Sequence, residues 1–351
     1  MEKIFQQFLH KTGPVLCLDI GHGTQDVLLA RPGVAVENWP SFVLPSPAMA
    51  VSRRLRELAL LKKDVWLYGS TMGDGFLSAA GALSESGCRV FAERSAGEVL
   101  LGCRAGASGI ALCDERPSSA VPVQMTDFSA QGWETILRSA GLPLPHLVLA
   151  CVEDCAHAKD AAGRTARMEH FTKLLAESPD PVSWIMEKAP AESTRLFALQ
   201  KAAGGPVCDT AAAAVLGAML YQNVRTRSCR QGVTFVNVGN RHIVAALLYR
   251  GRVHGIYEHH TEMRTREELL ADLAEFRRCF LPTEAVQASG GHGTAYGPIC
   301  EEAGGYNPTF VGGPMRSLLA GYGQETAPFG SMRLAGPLGM LYGYITKQAA
   351  L

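Results

Sequence analysis

No G-x-x-x-x-G-K-[ST] phosphate loop occurs in this chain, and no G-x-G-x-x-G follows a strand and opens a helix. Those two absences exclude the P-loop nucleotidases and the dinucleotide-binding Rossmann enzymes. Net charge is also missing. Lys plus Arg and Asp plus Glu each number 33, so no general attraction to nucleic acid or anionic lipid is expected. The longest weakly polar run, 207–221, is interrupted by Asp209 and is too short to span a bilayer. The N-terminal residues carry neither the apolar core nor the cleavage site of a secretory signal, so a cytoplasmic protein with no membrane partner is expected. The ten cysteines contain no C-x-x-C and no C-x-x-x-C-x-x-C. A radical-SAM iron–sulfur cluster therefore has no ligand triad. Buried reduced thiols are the expectation, with Cys151-x-x-x-Cys155 the nearest approach to a ligand pair.

Glycine placed between apolar runs is what the chain does have. Residues 15–30 run through Val15-Leu16-Cys17-Leu18, reach Asp19, turn at Gly21-His22-Gly23-Thr24 and resume as Val27-Leu28-Leu29. The pattern predicts a β-hairpin whose tip carries two glycines and a hydroxyl. Glycines let backbone N–H groups converge on an anion, and a carboxylate at the strand end suits a cation beside it. A ligand-free Gly-rich turn is the alternative. With 351 residues, of which 47% are hydrophobic and 19% charged, the chain is long enough for two cores.

The same order returns later. Val233 to Val238 reads as a strand ending in Asn237-Val238-Gly239-Asn240, and Ile243 to Tyr249 as the strand coming back. Asp209 opens the small-residue run TAAAAVLGAML, which predicts a closely packed helix, and RLAGPLGMLYGYI at 333–345 predicts another. Further helices are expected over 1–13, 53–63, 77–86, 133–140, 164–176, 191–202 and 265–280, and strands at 65–68, 89–91, 146–151 and 252–257. A strand at 308–311 ends in Gly312-Gly313-Pro314, with a helix expected from Met315 to Ala320.

Taken in order, these segments resemble the actin, sugar-kinase and heat-shock-chaperone ATPase superfamily. Asp19-Ile20-Gly21-His22-Gly23-Thr24 matches its first phosphate hairpin, and Asn237-Val238-Gly239-Asn240 lies where the second belongs. Phe310-Val311-Gly312-Gly313 resembles its adenosine loop, and the helices opened by Asp209 and spanning Gly336 to Gly343 resemble its two connecting helices. The resemblance implies an α/β, two-lobed actin-like (ribonuclease H-like) fold with a central cleft. It divides the chain into a first lobe (1–205), a second lobe (206–326) and a C-terminal helix (327–351) packing back on the first. It also implies ATP and Mg²⁺ as cofactors, a phosphotransferase or ATPase activity, and an unnamed small-molecule or protein substrate. Phosphates fall to Gly21, His22, Gly23, Thr24, Asn237, Gly239 and Asn240, the adenosine to Gly312 and Gly313, and Mg²⁺ to Asp19. One departure matters: Asn237 stands where the second hairpin usually has an aspartate, and asparagine is a weaker, uncharged Mg²⁺ ligand. Ordinary ATP hydrolysis is then in question, and a non-catalytic nucleotide-binding module is an alternative reading. The segments DIGHGTQDVLL, VNVGNRH, EHHT and GGHG also resemble a bacterial and archaeal family labelled pyruvate formate-lyase activating proteins, although the absent cysteine triad contradicts radical-SAM chemistry.

Acid–base and metal candidates complete the reading. Glu153 and Asp154 end a buried strand, where a carboxylate can orient water or deprotonate an acceptor, or merely cap the next segment. Asp209 is either a helix N-cap or an outer Mg²⁺ ligand. Arg164 and Arg167 are candidates for clamping an anion, or ordinary helix charge. His22, His242, His254, His259, His260 and His292 occupy Gly-rich or polar tips. If His22, His242, one of the pair His259/His260, and His292 converge, they make a transition-metal site and a metal-dependent transferase or hydrolase. A strand sends His259 and His260 to opposite faces, so at most one reaches the cleft.

Overall fold

A computed structural model describes residues 1–94, 96, 110–154 and 162–350; Cys103 and Cys155 lie outside the described residues. The chain opens with helix α1 (Glu2–Thr12), whose Phe5 and Leu9 are buried while Ile4 is exposed. Strands β1 (Val15–Ile20) and β2 (Thr24–Ala30) form the hairpin, and β3 (Ser41–Pro45) pairs with β2. Helix α2 (Pro47–Leu60), strand β4 (Val65–Gly69), helix α3 (Leu77–Glu85), and strands β5 (Val90–Ala92), β6 (Ile110–Leu112) and β7 (Val121–Met125) follow. Then come helix α4 (Ala130–Ser139), strand β8 (Leu147–Val152), helices α5 (Ala162–Glu177) and α6 (Thr194–Ala203), and strand β9 (Val207–Asp209).

The first sheet has the order β3-β2-β1-β8-β9, with β1 antiparallel to β2 and parallel to β8. It reaches Val207–Asp209, slightly past residue 205. Strands β4 to β7 form a separate, fully parallel sheet in the order β6-β5-β4-β7, with its own core around Leu55, Leu67, Phe76 and Leu83. It is inserted between β3 and β8. The individual strands at 65–68 and 89–91 are where the sequence predicts them, but their grouping into a sheet of their own was not expected.

The second half begins with helices α7 (Thr210–Leu220) and α8 (Gln222–Ser228) and continues through β10 (Val233–Val238), β11 (His242–Tyr249) and β12 (Arg252–His260). Helices α9 (Arg266–Arg277) and α10 (Thr283–Ala288), strands β13 (Gly293–Tyr296), β14 (Thr309–Gly312) and β15 (Gln324–Glu325), and helix α11 (Ala335–Ala350) complete it. The sheet order is β13-β12-β11-β10-β14-β15. Apart from the added edge strand β13, this repeats the first sheet: a hairpin whose first strand runs parallel to a later strand on its other side. The structure is thus mixed α/β with several sheets, two of them sharing this hairpin arrangement.

Small residues bring α7 and α11 together. A Cβ on Gly217 would lie 2.0 Å from the Ala335 carbonyl, and one on Gly339 would lie 2.0 Å from that of Ala213. Only glycine permits this backbone approach. Helix α11 also packs against β1 and β8. One expected helix is shorter than its segment: Met315–Ala320 forms only a four-residue 3₁₀ turn, Arg316–Leu319. The glycines at 321 and 323 follow at once, both with positive φ, and stop it.

Candidate functional site: the cleft between two hairpin tips

The two hairpins end in the same turn. In the first, the Gly21 amide donates to the Thr24 carbonyl at 2.9 Å; in the second, the Gly239 amide donates to the His242 carbonyl at 2.9 Å. Gly21-His22-Gly23-Thr24 thus corresponds to Gly239-Asn240-Arg241-His242, and Asp19 to Asn237. The supports correspond as well. Ser46, just after β3, donates its amide to Gly23 O (3.0 Å) and its hydroxyl to His22 O (2.6 Å). Thr261, just after β12, donates its amide to Arg241 O (2.7 Å) and its hydroxyl to Gly239 O (2.8 Å). Tip carbonyls are therefore tied back. Among the described residues, the amides of His22, Gly23, Asn240 and Arg241 donate no hydrogen bond. Amides left free in a turn are available to a ligand.

The tips face each other. Arg241 Nη1 lies 2.5 Å from His22 Nδ1, and Asp74 Oδ1 lies 3.4 Å from His22 Nδ1 and 3.5 Å from Arg241 Nη1. Asp74 belongs to the turn Met72-Gly73-Asp74-Gly75, so the inserted domain also reaches the cleft; a Cβ on Gly75 would sit 3.3 Å from the His22 ring. Asp74 is held below the usual carboxylate range, first by its hydrogen bond with His22 and, against burial, by Arg241.

Beside the second tip lies a buried polar cluster joining the two halves. Arg167 on α5 contacts Asp209 at 2.8 Å and Glu258 at 2.5 Å, its side chain 5% exposed and that of Glu258 2%. Asp209 also caps α7 by accepting from the Ala211 amide, so its N-cap reading holds. Arg167 is thereby committed to two carboxylates and does not serve as a free clamp for an anion; Arg164 reaches the Gly291 carbonyl at 3.5 Å. Glu153, ending β8, lies 3.0 Å from His242 Nδ1. Burial alone would raise Glu153, but His242, Arg167 and His292 outweigh it and hold the carboxyl far below its ordinary range. His242 is raised in return, Glu153 and Glu258 overcoming its burial. Asp154 is raised by burial and by Asp209, and its Oδ1 is buried without a partner.

Strand parity decides the histidines. His242 and His260 are cross-strand partners on β11 and β12, and their rings are 4.6 Å apart. His292, whose amide donates to the Glu258 carbonyl, brings a third ring 5.0 Å from both. Burial lowers His292, and burial plus repulsion from His242, His292 and Arg241 lowers His260 to about 3. His259 does not join them. It is fully buried on the opposite face, with Nε2 3.2 Å from Ser289 Oγ and Nδ1 3.1 Å from the His260 carbonyl. The alternation of a strand enforces this, so His259 is no part of a cleft metal set. His22 and His254 also lie apart from the triad: His22 meets Arg241 and Asp74, and His254 packs near Tyr249 and Tyr306.

Asp19 is poorly placed to take a cation. Thr210 donates to its Oδ1 at 2.7 Å, Cys151 Sγ stands 3.3 Å from the same atom, and a Cβ on Gly336 would lie 2.0 Å from Oδ2. Burial raises its pKa despite the Thr210 hydrogen bond. Oδ1 is engaged by Thr210 and Oδ2 lies against the backbone of Gly336, so Asp19 is packed against α11, a crowded setting for a Mg²⁺ ion with its waters. Gly312 and Gly313 lie against the second hairpin rather than lining an open loop: Cβ atoms there would meet Thr326 Oγ1 at 3.1 Å and the Val238 carbonyl at 2.3 Å. Glu258, Arg241 and Asp74 were not anticipated. Glu258 was signalled only by its position two residues before His260, the spacing that puts both on one strand face.

The family described as "Putative pyruvate format-lyase activating enzyme (DUF1786)" matches residues 72–318. No curated protein matches. Among solved structures, a ROK family transcriptional regulator, described as a homolog of the E. coli MLC protein, is 10% identical with a TM-score of 0.36, covering 95% of this chain and 80% of that one. A nucleotide-free acetone carboxylase, from work on ATP-dependent acetone carboxylation, is 12% identical with a TM-score of 0.22. That alignment covers 69% of this chain and 44% of the other, so the present chain spans less than half of it.

Proposed function

The chain belongs to this family, and from its cleft we propose that it is a nucleotide-dependent enzyme that holds a phosphate chain between the tips Gly21–Thr24 and Gly239–His242. One observation carries the reading: two equivalent turns face one another with their carbonyls tied back and four amides undonated. Amides so placed bind phosphate oxygens. Gly23 keeps the first tip open, since a Cβ there would meet nothing within 4 Å. Arg241 supplies positive charge at the second tip, its donors passing from His22 to the phosphates on binding. Glu153 and His242 lie directly behind that tip and orient the group that receives the phosphoryl, the role of a phosphotransferase or ATPase. No step through Mg²⁺ is drawn, because Asp19 is packed between Thr210 and Gly336.

The test is a thermal-shift series with AMP, ADP, ATP and tripolyphosphate, run in chelator so that bound metal does not contribute. Ligand that binds only the folded chain raises its melting temperature. The reading expects the shift to grow with phosphate number and tripolyphosphate to reproduce part of it. Equal shifts for AMP and ATP, or none at all, would remove it.

A further inference from the structure

A second site stands beside the tips and does not depend on nucleotide. We propose that His242, His260 and His292 ligate one divalent transition-metal ion. Their donor nitrogens all lie within 4.8 Å of one another. His242 Nε2, His260 Nδ1 and His292 Nδ1 are buried and have no hydrogen-bond partner. Three adjacent imidazoles, each with a buried nitrogen that has no hydrogen-bond partner, require something to satisfy them. A tetrahedral ion with bonds of about 2 Å separates its donors by roughly 3.3 Å, so small ring rotations close the site.

The surroundings fit a cation. Glu153 contacts His242 through Nδ1 at 3.0 Å, which fixes the ring and leaves Nε2 facing the centre. A carboxylate behind a ligating imidazole is the usual outer support of a metal site. Glu258 stands 3.5 Å from His292 Nδ1, and with His292 and Glu153 it forms a second group of donors within 4.8 Å. Near the triad stand three carboxylates: Glu153 against His242, and Asp209 and Glu258 on either side of Arg167. Carboxylates so near favour a dication on the imidazoles. Imidazole donors favour Zn²⁺, Fe²⁺, Co²⁺ or Ni²⁺ over Mg²⁺ or Ca²⁺, which take oxygen ligands.

The experiment uses the full chain, stripped with chelator and dialysed, without nucleotide. Co²⁺ is titrated while its visible d–d absorption is followed, and Zn²⁺ uptake is measured by equilibrium dialysis. One equivalent of each is expected, with Zn²⁺ displacing the Co²⁺ spectrum. His260→Ala and His292→Ala should each lose the site, and His10→Ala, on exposed α1, should keep it. Glu153→Gln should retain one equivalent but bind it about 10- to 100-fold more weakly; this variant decides the matter if a histidine variant does not fold. Absence of saturable uptake, or uptake unchanged in His260→Ala, His292→Ala and Glu153→Gln, would overturn the proposal. Nucleotide shifts measured in chelator are unaffected by that result, so the two readings fail separately.

Discussion

The first and second hairpin tips share a backbone and differ in everything attached to it. Both close with the same amide-to-carbonyl bond, and both are tied back by a hydroxyl residue that follows the third strand. The first tip then carries glycine at position 23 and threonine at 24, leaving its amides open. The second carries Arg241 and His242 at the corresponding places, and His242 leads into a buried cluster. One turn geometry thus carries an open, glycine-bearing tip on one side and a charged, imidazole-lined wall on the other. Backbone hydrogen bonding fixes the frame, and side-chain choice sets the chemistry.

The comparison breaks most severely at the joint between the halves. Arg167→Met leaves Asp209 and Glu258 buried without their cation, and losing one partner of such a network costs about 3–5 kcal/mol. Chemical denaturation should show that loss. A variant as stable as wild type would mean that the cluster does not join the two halves.

A smaller effect separates the tips themselves. A Cβ on Gly239 would lie 2.7 Å from the His242 carbonyl that closes the turn, whereas one on Gly23 meets nothing. Gly239→Ala should cost about 1–3 kcal/mol through overpacking, and Gly23→Ala within about 0.5 kcal/mol. Equal melting temperatures for the two variants would show that the turns are not held as described.

A pH-dependent effect lies in the first hairpin. Asp26 is opposite Asp19, and burial and then the Asp19 charge raise its pKa to about 7 against some relief from Arg333. The fold therefore keeps a proton there that the unfolded chain has lost, since the ordinary value is 3.8. Stability from this group is fully present below that value and is lost as pH rises through about 7. Asp26→Asn should flatten the decline in melting temperature between about pH 4 and 7. An unchanged profile would place the titration elsewhere. The second hairpin has Val244 opposite Asn237 and offers no such group.

Much of this frame was legible in the chain. The apolar strands around 15–30 and 233–249 announce both hairpins, and the alanine- and glycine-rich runs announce α7 and α11. Asp209 capping α7 follows from residue type and place. Strand parity alone implies that His259 and His260 part company. What could not be read is distance between segments far apart in the chain. Arg167 meets Glu258 across 91 residues, and His292 reaches His260 only because α10 and β13 return beside β12. The inserted parallel sheet was hidden for another reason: β5 and β6 are three residues each, too short for periodicity to speak. Asp19 illustrates the remaining gap. Its place at a strand end suggests a cation ligand, but the helix residue that covers its second oxygen, Gly336, lies at the far end of the chain.

The central claim is that the two tips grip a phosphate chain between them. Calorimetric titration of ATP into the full chain and into Gly23→Val tests it most directly, because a β-branched side chain at that open position adds bulk to the first tip where a phosphate would approach, with no neighbour within 4 Å of its Cβ. The account predicts saturable binding to the wild type and a loss of about 10-fold or more in the variant, equivalent to roughly 1.4 kcal/mol. Equal affinity for both proteins, or no heat with either, would contradict it.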